Sequence, residues 1–276
     1  MQYRTILLSL NDEPRVPNLV SVALSLGGDN AHVIGLYALP SVAPPQEAIG
    51  VGDRPWLDEQ LRSFEGQAER VRNKFEGLFK GKRATHEWRF DKSSFDASVA
   101  DSVIEHGRTA DLIVTSRAPQ NGWIDDVAER AAIESGRPVI VLPEEGDLLS
   151  IGREITVAWK SSKEATRAVF DALPLLRKSR HVRLLTVFED GVENVDLALR
   201  AELLASLSRH GIEAEIESIP KIGLSVGDAL LDYAKSRNQD LLVMGLYGHS
   251  RFREFFLGGA SRDVLGHVSV PIFLSH

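Results

Sequence analysis

Short apolar runs recur along the chain, and longer amphipathic segments separate them. The runs are Ile6–Leu10, Val33–Ala38, His86–Phe90, Leu112–Thr115 and Val139–Leu142, followed by Ile155–Trp159, Val182–Phe188, Ala214–Ile219, Leu241–Met244 and Ile272–Leu274. Most lack apolar–polar alternation, as expected of strands buried on both faces of a parallel sheet. Ala214–Ile219 does alternate, which predicts an edge strand with one wet face. The intervening segments have helical length. One spans Leu57 to Lys80, and another opens at Ser225-Val226-Gly227-Asp228, a variant of the capping box. Alternating strands and helices predict a doubly wound α/β sheet with right-handed crossovers. Ligands of such sheets sit outside the carboxyl ends of the strands, at the switch point. Here that means the loops after strands one and four of each set of five.

The ten strands fall into two sets because the chain repeats itself. Arg4–Leu10 matches Arg153–Trp159 at an offset of 149, and nine of the 36 positions in 4–39 are identical at that offset. Ala110–Val114 matches Gln239–Val243 at an offset of 129, and Arg137–Val141 matches Val270–Leu274 at 133. The shift from 149 to 129 puts 20 extra residues into the first copy, in the Pro-rich stretch Pro40–Pro55 and the helix after it. Two tandem units follow, residues 1–147 and 148–276, joined near Gly146–Ser150. The first is expected to pack against the second as a pseudo-dimer.

Composition narrows the class without changing this architecture. The chain of 276 residues has 43% hydrophobic and 26% charged residues, no cysteine, and no apolar run near the roughly 18 residues of a membrane span. Disulfides, thiolate metal sites and cysteine nucleophiles are excluded, and the N-terminus lacks a signal-peptide pattern. The cytoplasm is the expected compartment, with no membrane partner. The net charge of −7 argues against a nucleic-acid partner, which needs a basic face. That charge is unevenly spread. Residues 1–147 hold 16 Lys and Arg against 23 Asp and Glu, whereas 148–276 hold 16 of each.

Candidate chemistry concentrates after the fourth strand of the second unit. Two residues separate Gly245 from Gly248, nine separate Gly248 from Gly258, and Gly259, Ala260 and Ser261 lead into a helix. Gly245 and Gly248 can take positive φ and let the backbone approach a ligand closely. Gly258 and Gly259 precede a helix whose free N–H groups and positive dipole end suit an anion, phosphate above all. The Ser250 and Ser261 hydroxyls and the Arg251 and Arg253 cations are further candidates for that anion.

This loop, set between strand and helix in a tandem α/β chain, resembles the universal stress protein family, whose ATP-binding members carry G-x2-G-x9-G-[S/T]. The resemblance implies five-stranded parallel sheets in the order 3-2-1-4-5, and ATP or a related adenine nucleotide in the second unit, with magnesium as its companion. It also implies roles. Backbone amides around Gly248, Gly258, Gly259, Ala260 and Ser261 would hold the phosphates, with Tyr247 and His249 in the same loop. Met244 and Gly245 would line the ribose and adenine side, Val187 would meet adenine through its backbone, and Ala158, Trp159 and Lys160 would complete the pocket. Two positions depart from the family pattern. Gly259 stands where Ser or Thr is usual, and Lys160 stands where ATP binders usually have Asp. An ammonium only donates, so Lys160 cannot accept the hydrogen bonds that Asp would. Homodimerisation is a further expectation of the resemblance.

The first unit has lost the glycine loop. Ser116 replaces Gly245, Pro119 removes a donor, and Asp125 and Asp126 stand where Gly258 and Gly259 do. Paired carboxylates repel phosphate, so no nucleotide is expected there. Asp111 and Asp240 match across the repeat and are expected to cap or terminate the preceding segments. His32 and His181 also match, with turn or sheet-edge roles. Trp56, Trp88, Trp123 and Trp159 are read as packing residues, Trp159 with the option of stacking on a base. No acid, base and nucleophile set occurs, so dedicated catalysis is not expected. Slow ATP hydrolysis and a nucleotide-free, partner-binding scaffold are the alternatives.

Overall fold

The computed structural model describes residues 2–41, 54–92, 98–117, 126–146, 148–188, 197–246 and 259–276. In the first half the strands are β1 (Thr5–Ser9), β2 (His32–Ala38), β3 (Thr85–Asp91), β4 (Leu112–Ser116) and β5 (Val139–Leu142). Its helices are α1 (Val16–Gly27), α2 (Arg54–Leu78), α3 (Val99–Gly107) and α4 (Val127–Glu134). The second half has β6 (Glu154–Ala158), β7 (His181–Phe188), β8 (Ala214–Pro220), β9 (Leu241–Gly245) and β10 (Ile272–Ser275). Its helices are α5 (Lys163–Asp171), α6 (Leu173–Leu176), α7 (Leu197–Arg209), α8 (Val226–Ser236) and α9 (Gly259–Gly266). All ten predicted strands are present.

The strands form one sheet in the order β3-β2-β1-β4-β5-β10-β9-β6-β7-β8. Each half therefore has the predicted 3-2-1-4-5 order, and its internal pairings are parallel. The expectation of two separate sheets is corrected in one respect: β5 and β10 pair antiparallel and fuse them. Ile140 pairs with Phe273, its own counterpart in the repeat, with Val139–Leu274 and Val141–Ile272 on either side. The seam is thus a pseudo-two-fold axis running through the chain. β8 is an edge strand as predicted, although its exposure does not alternate strictly.

Side chains alternate between two cores, as the period of a strand requires. Ile6 and Leu8 join one core with α1, α2, α5 and α7, while Leu7 joins the other with α3, α4, α8 and α9. Both cores run the length of the sheet. Each half also pins the start of its first strand with the matched aspartate. Asp111 accepts hydrogen bonds from the Arg4 and Thr5 amides at 2.8 and 2.9 Å. Asp240 accepts three, from Gly152, Arg153 and Glu154, at 2.9 to 3.1 Å. No helix among the described residues is long and apolar enough to cross a membrane.

Candidate functional site

In the second half, β6 is strand one, and it lies between β9 and β7. The chain winds outward from it in both directions, so a crevice opens where β6 ends. Trp159 makes the last rung, its amide donating to the Leu185 carbonyl at 2.8 Å. Thr186 then ties the strand ends together, its hydroxyl donating to the Trp159 carbonyl at 3.2 Å. Successive residues of a strand turn their N–H and C=O to opposite sides. Val187 therefore turns its pair the same way as Leu185, toward β6, but beyond the last rung. Its donor and acceptor face the crevice.

The crevice is a cleft of about 780 Å³, within the range of small-molecule sites. Three helices start at its wall: α5 after the cap Ser162, α8 after the cap Ser225, and α9 at Gly259. Ser162 and Ser225 accept hydrogen bonds from the Ala165 and Asp228 amides at 3.2 and 3.0 Å, which fixes where their helices begin. The first turn of each helix leaves N–H groups without intrahelical partners, and the dipoles add positive potential. Among the described residues, the charged side chains lining the cleft are Lys160, Lys221 and Asp263.

Of the residues predicted for the site, Ala158, Trp159, Lys160, Val187, Met244, Gly245, Gly259, Ala260 and Ser261 all line this cleft. Tyr247, Gly248, His249, Ser250, Arg251, Arg253 and Gly258 lie outside the described residues, as do Trp123, Asp125 and most of the Pro40–Pro55 run. Trp159 is buried, packed into the core beneath α5 as well as lining the cleft. Lys160 is exposed and has no hydrogen-bond or ion-pair partner among the described residues. Sequence reasoning missed Phe188, Lys221 and Asp263. Lys221 and Phe188 follow from strand register, since the Lys221 amide donates to the Phe188 carbonyl. Asp263 lies one turn into the helix that the glycine motif announces.

One expectation is corrected. Gly245 does not take positive φ; it ends β9 in strand geometry. A Cβ there would stand 2.4 Å from the Glu164 carbonyl carbon and 2.5 Å from the Ala165 nitrogen. Its glycine is required by the first turn of α5 pressing on the strand. At Gly259 a Cβ would meet nothing within 4 Å among the described residues. Gly227 is where α8 meets α9, with a Cβ only 2.6 Å from that of Asp263 and 2.7 Å from the Ala260 carbonyl oxygen.

The first half treats the same location differently. Asn11 is the repeat counterpart of Lys160, and Ala38 that of Val187. The Asn11 amide donates to the Ala38 carbonyl at 2.6 Å and accepts from the Ala38 amide at 3.3 Å. The polar pair that faces the cleft in the second half is thus satisfied internally here. Arg130, counterpart of Asp263, donates to Asp101 at 2.6 Å and to the Ser98 hydroxyl at 2.9 Å, closing α4 onto the start of α3. The Arg130 guanidinium and the Ser98 cap hold the Asp101 carboxyl down at about 2. Asp126 stands at the start of α4 without a capping bond.

A family model described as "Universal stress protein family" matches residues 152–276. A universal stress protein of Synechocystis is 25% identical over 148 residues, covering 52% of this chain and 48% of that protein. The chain therefore spans about half the length of the curated relative it matches. Among solved structures, a universal stress protein from Archaeoglobus fulgidus superposes with a TM-score of 0.70 at 20% identity, covering 99% of this chain and 96% of that one. A putative universal stress protein from Pseudomonas aeruginosa gives 0.53 at 14% identity, over 99% and 93% of the two chains. The sheet order of both halves agrees with the fold these comparisons indicate. The family model thus covers the second half, residues 152–276, and the first half repeats the same fold ahead of it.

Proposed function

We propose that the second half binds ATP or a related adenine nucleotide, as the sensing module of a cytoplasmic stress-response regulator. One observation carries this most directly. In the first half a carboxamide, Asn11, satisfies the backbone donor and acceptor of Ala38. A carboxamide and the edge of adenine present the same in-plane pair, one N–H donor beside one acceptor. The second half turns the equivalent pair of Val187 into a cleft with no side chain of that kind at position 160. Adenine has the right edge to complete it.

The rest of the molecule fits that orientation. With the base at β7, the phosphates reach the start of α9, where Gly259, Ala260 and Ser261 supply backbone amides and a positive dipole end. Magnesium on the phosphates would find a carboxylate in Asp263, and such ions are commonly held by one or two carboxylates plus phosphate oxygens. The first half, with its amide plug and its Arg130–Asp101 pair, is assigned a packing role without nucleotide.

The test is direct. Nucleotide released on denaturing the purified protein is identified by mass spectrometry, and ATP is titrated by calorimetry. Binding at one site per chain is expected. No released nucleotide and no heat at millimolar ATP would leave a nucleotide-free scaffold as the better account. Steady turnover near about 1 s⁻¹ or faster would instead argue for an enzyme.

A further inference from the structure

The strand order fixes more than the location of the cleft. It also dictates what lies between the base and the phosphates. β6 stands between β7 and β9, so a nucleotide with its base at Val187 and its phosphates at α9 must lay its sugar across the end of β6. That end is Trp159-Lys160-Ser161. Trp159 is buried in the core, which leaves Lys160 as the long polar side chain over the sugar.

The repeat indicates where Lys160 can reach. Its counterpart Asn11, with a much shorter side chain, already spans to the neighbouring strand's backbone at Ala38. A lysine from the same position is longer, and its ammonium has the reach to extend past that point toward the sugar. Among the described residues that ammonium has no partner. The starts of the α5 and α8 helices at the cleft wall favour an anion as well. Asp263, the one carboxylate among the described lining residues, belongs to α9, on the phosphate side.

A carboxylate facing a ribose accepts from its free hydroxyls, whereas a cation in that location accommodates a phosphate on the sugar; dinucleotide-binding folds discriminate on this basis. We propose that this cleft selects adenine nucleotides phosphorylated on the ribose, with Lys160 as the specificity-determining residue. The proposal rests on the adenine-nucleotide assignment above and adds the substrate class to it. The chemistry required is an adenosine with a 5′-phosphate or longer chain and a second phosphate at the 2′ or 3′ oxygen.

ADP and adenosine 3′,5′-bisphosphate carry the same number of phosphates, and the bisphosphate, with two monoesters, carries up to about one more negative charge; the Lys160→Met comparison separates that general effect from a specific contact. Adenosine 2′,5′-bisphosphate distinguishes the two sugar positions. Each is titrated calorimetrically into the full chain and into Lys160→Met, which keeps length and removes charge at an exposed position. One of the ribose-phosphorylated ligands is expected to bind at least ~10-fold tighter than ADP, the scale of one charge-assisted hydrogen bond. In Lys160→Met that preference falls to less than ~3-fold. Equal or tighter binding of ADP by the wild-type protein overturns the proposal and leaves the adenine-nucleotide assignment standing. A preference that survives in Lys160→Met overturns the role of Lys160. Absence of binding by all three ligands and by ATP overturns both.

Discussion

The two halves share a fold, a strand order and an aspartate that pins strand one, yet they finish the same crevice in opposite ways. The first half completes its own backbone with Asn11 and ties its helix starts together with Arg130 and Asp101. The second half leaves Val187 facing a cleft and puts a lysine, a glycine and a carboxylate around it. An unmet buried donor or acceptor costs roughly 1–3 kcal/mol. Val187 is only half-buried, so solvent or a ligand can meet its pair, whereas Asn11 meets that of Ala38 from within the chain.

The contrast can be attacked where it is steepest. Gly245→Ala drives a Cβ into the backbone of α5, whereas the first-half counterpart, Ser116, already bears a side chain. Gly245→Ala is expected to destabilise by about 3 kcal/mol, the upper range for overpacking, and Ser116→Ala by less than about 0.5 kcal/mol, as for an ordinary surface-type change. Thermal unfolding of the two variants checks this, and equal shifts would contradict the close helix–strand approach at Gly245.

The pinning aspartates come next. Asp240 accepts three amide hydrogen bonds and Asp111 two. Asp240→Ala should cost about 2–3 kcal/mol and Asp111→Ala about 1–2 kcal/mol, since Asp111 is also the more exposed. Urea unfolding that ranks them the other way would mean solvent replaces the Asp240 bonds readily.

A transplant sharpens the comparison further. Lys160→Asn installs the first half's amide plug in the second half. It should lower ATP affinity about 30-fold, the loss of the two hydrogen bonds that adenine would otherwise make at roughly 1 kcal/mol each. Unchanged ATP affinity, measured by calorimetry, would show that Val187 does not read the base.

The smallest effect concerns pH and belongs to the first half alone. Asp101 has its carboxyl lowered from 3.8 to about 2 by Arg130 and Ser98. A depressed carboxylate contributes stability that is complete above its unfolded value. That contribution is lost as pH falls from about 4 through about 2. Its side chain is 44% exposed, so solvent screening holds the contribution below about 1 kcal/mol. Arg130→Met should shift the midpoint of acid unfolding slightly upward. An unchanged midpoint would mean that the pair does not stabilise the fold.

Much of this was legible in the chain. Ten apolar runs became ten strands because parallel strands must be apolar on both faces, and the repeat offsets mapped one half onto the other residue by residue. Gly259, Ala260 and Ser261 were found because a helix start after a glycine loop has a definite physical use. The fused sheet was harder to see. β5 and β10 read as ordinary interior strands, and that was itself the clue, since an edge strand without a polar position must be covered by something. Gly245 was assigned the wrong reason, because sequence cannot distinguish a glycine that admits a ligand from one that admits a helix. Asn11 gave no signal at all. One polar residue after a strand is common, and only the coordinates show both halves of its amide engaged.

The seam between β5 and β10 has a consequence for symmetry. Two identical chains meeting through such a pairing would present every contact twice, and no residue could differ from its partner. Here the partners are different residues of one chain, so Ile140 meets Phe273. In the same way Arg117 donates to the Leu265 and Gly266 carbonyls at the end of α9, while its counterpart Leu246 has no such group to offer α4. Covalent joining also makes the pairing intramolecular, so dilution does not separate the two units. The molecule behaves as a dimer with a single genome address for each side: permanently assembled, and free to give its two crevices different side chains.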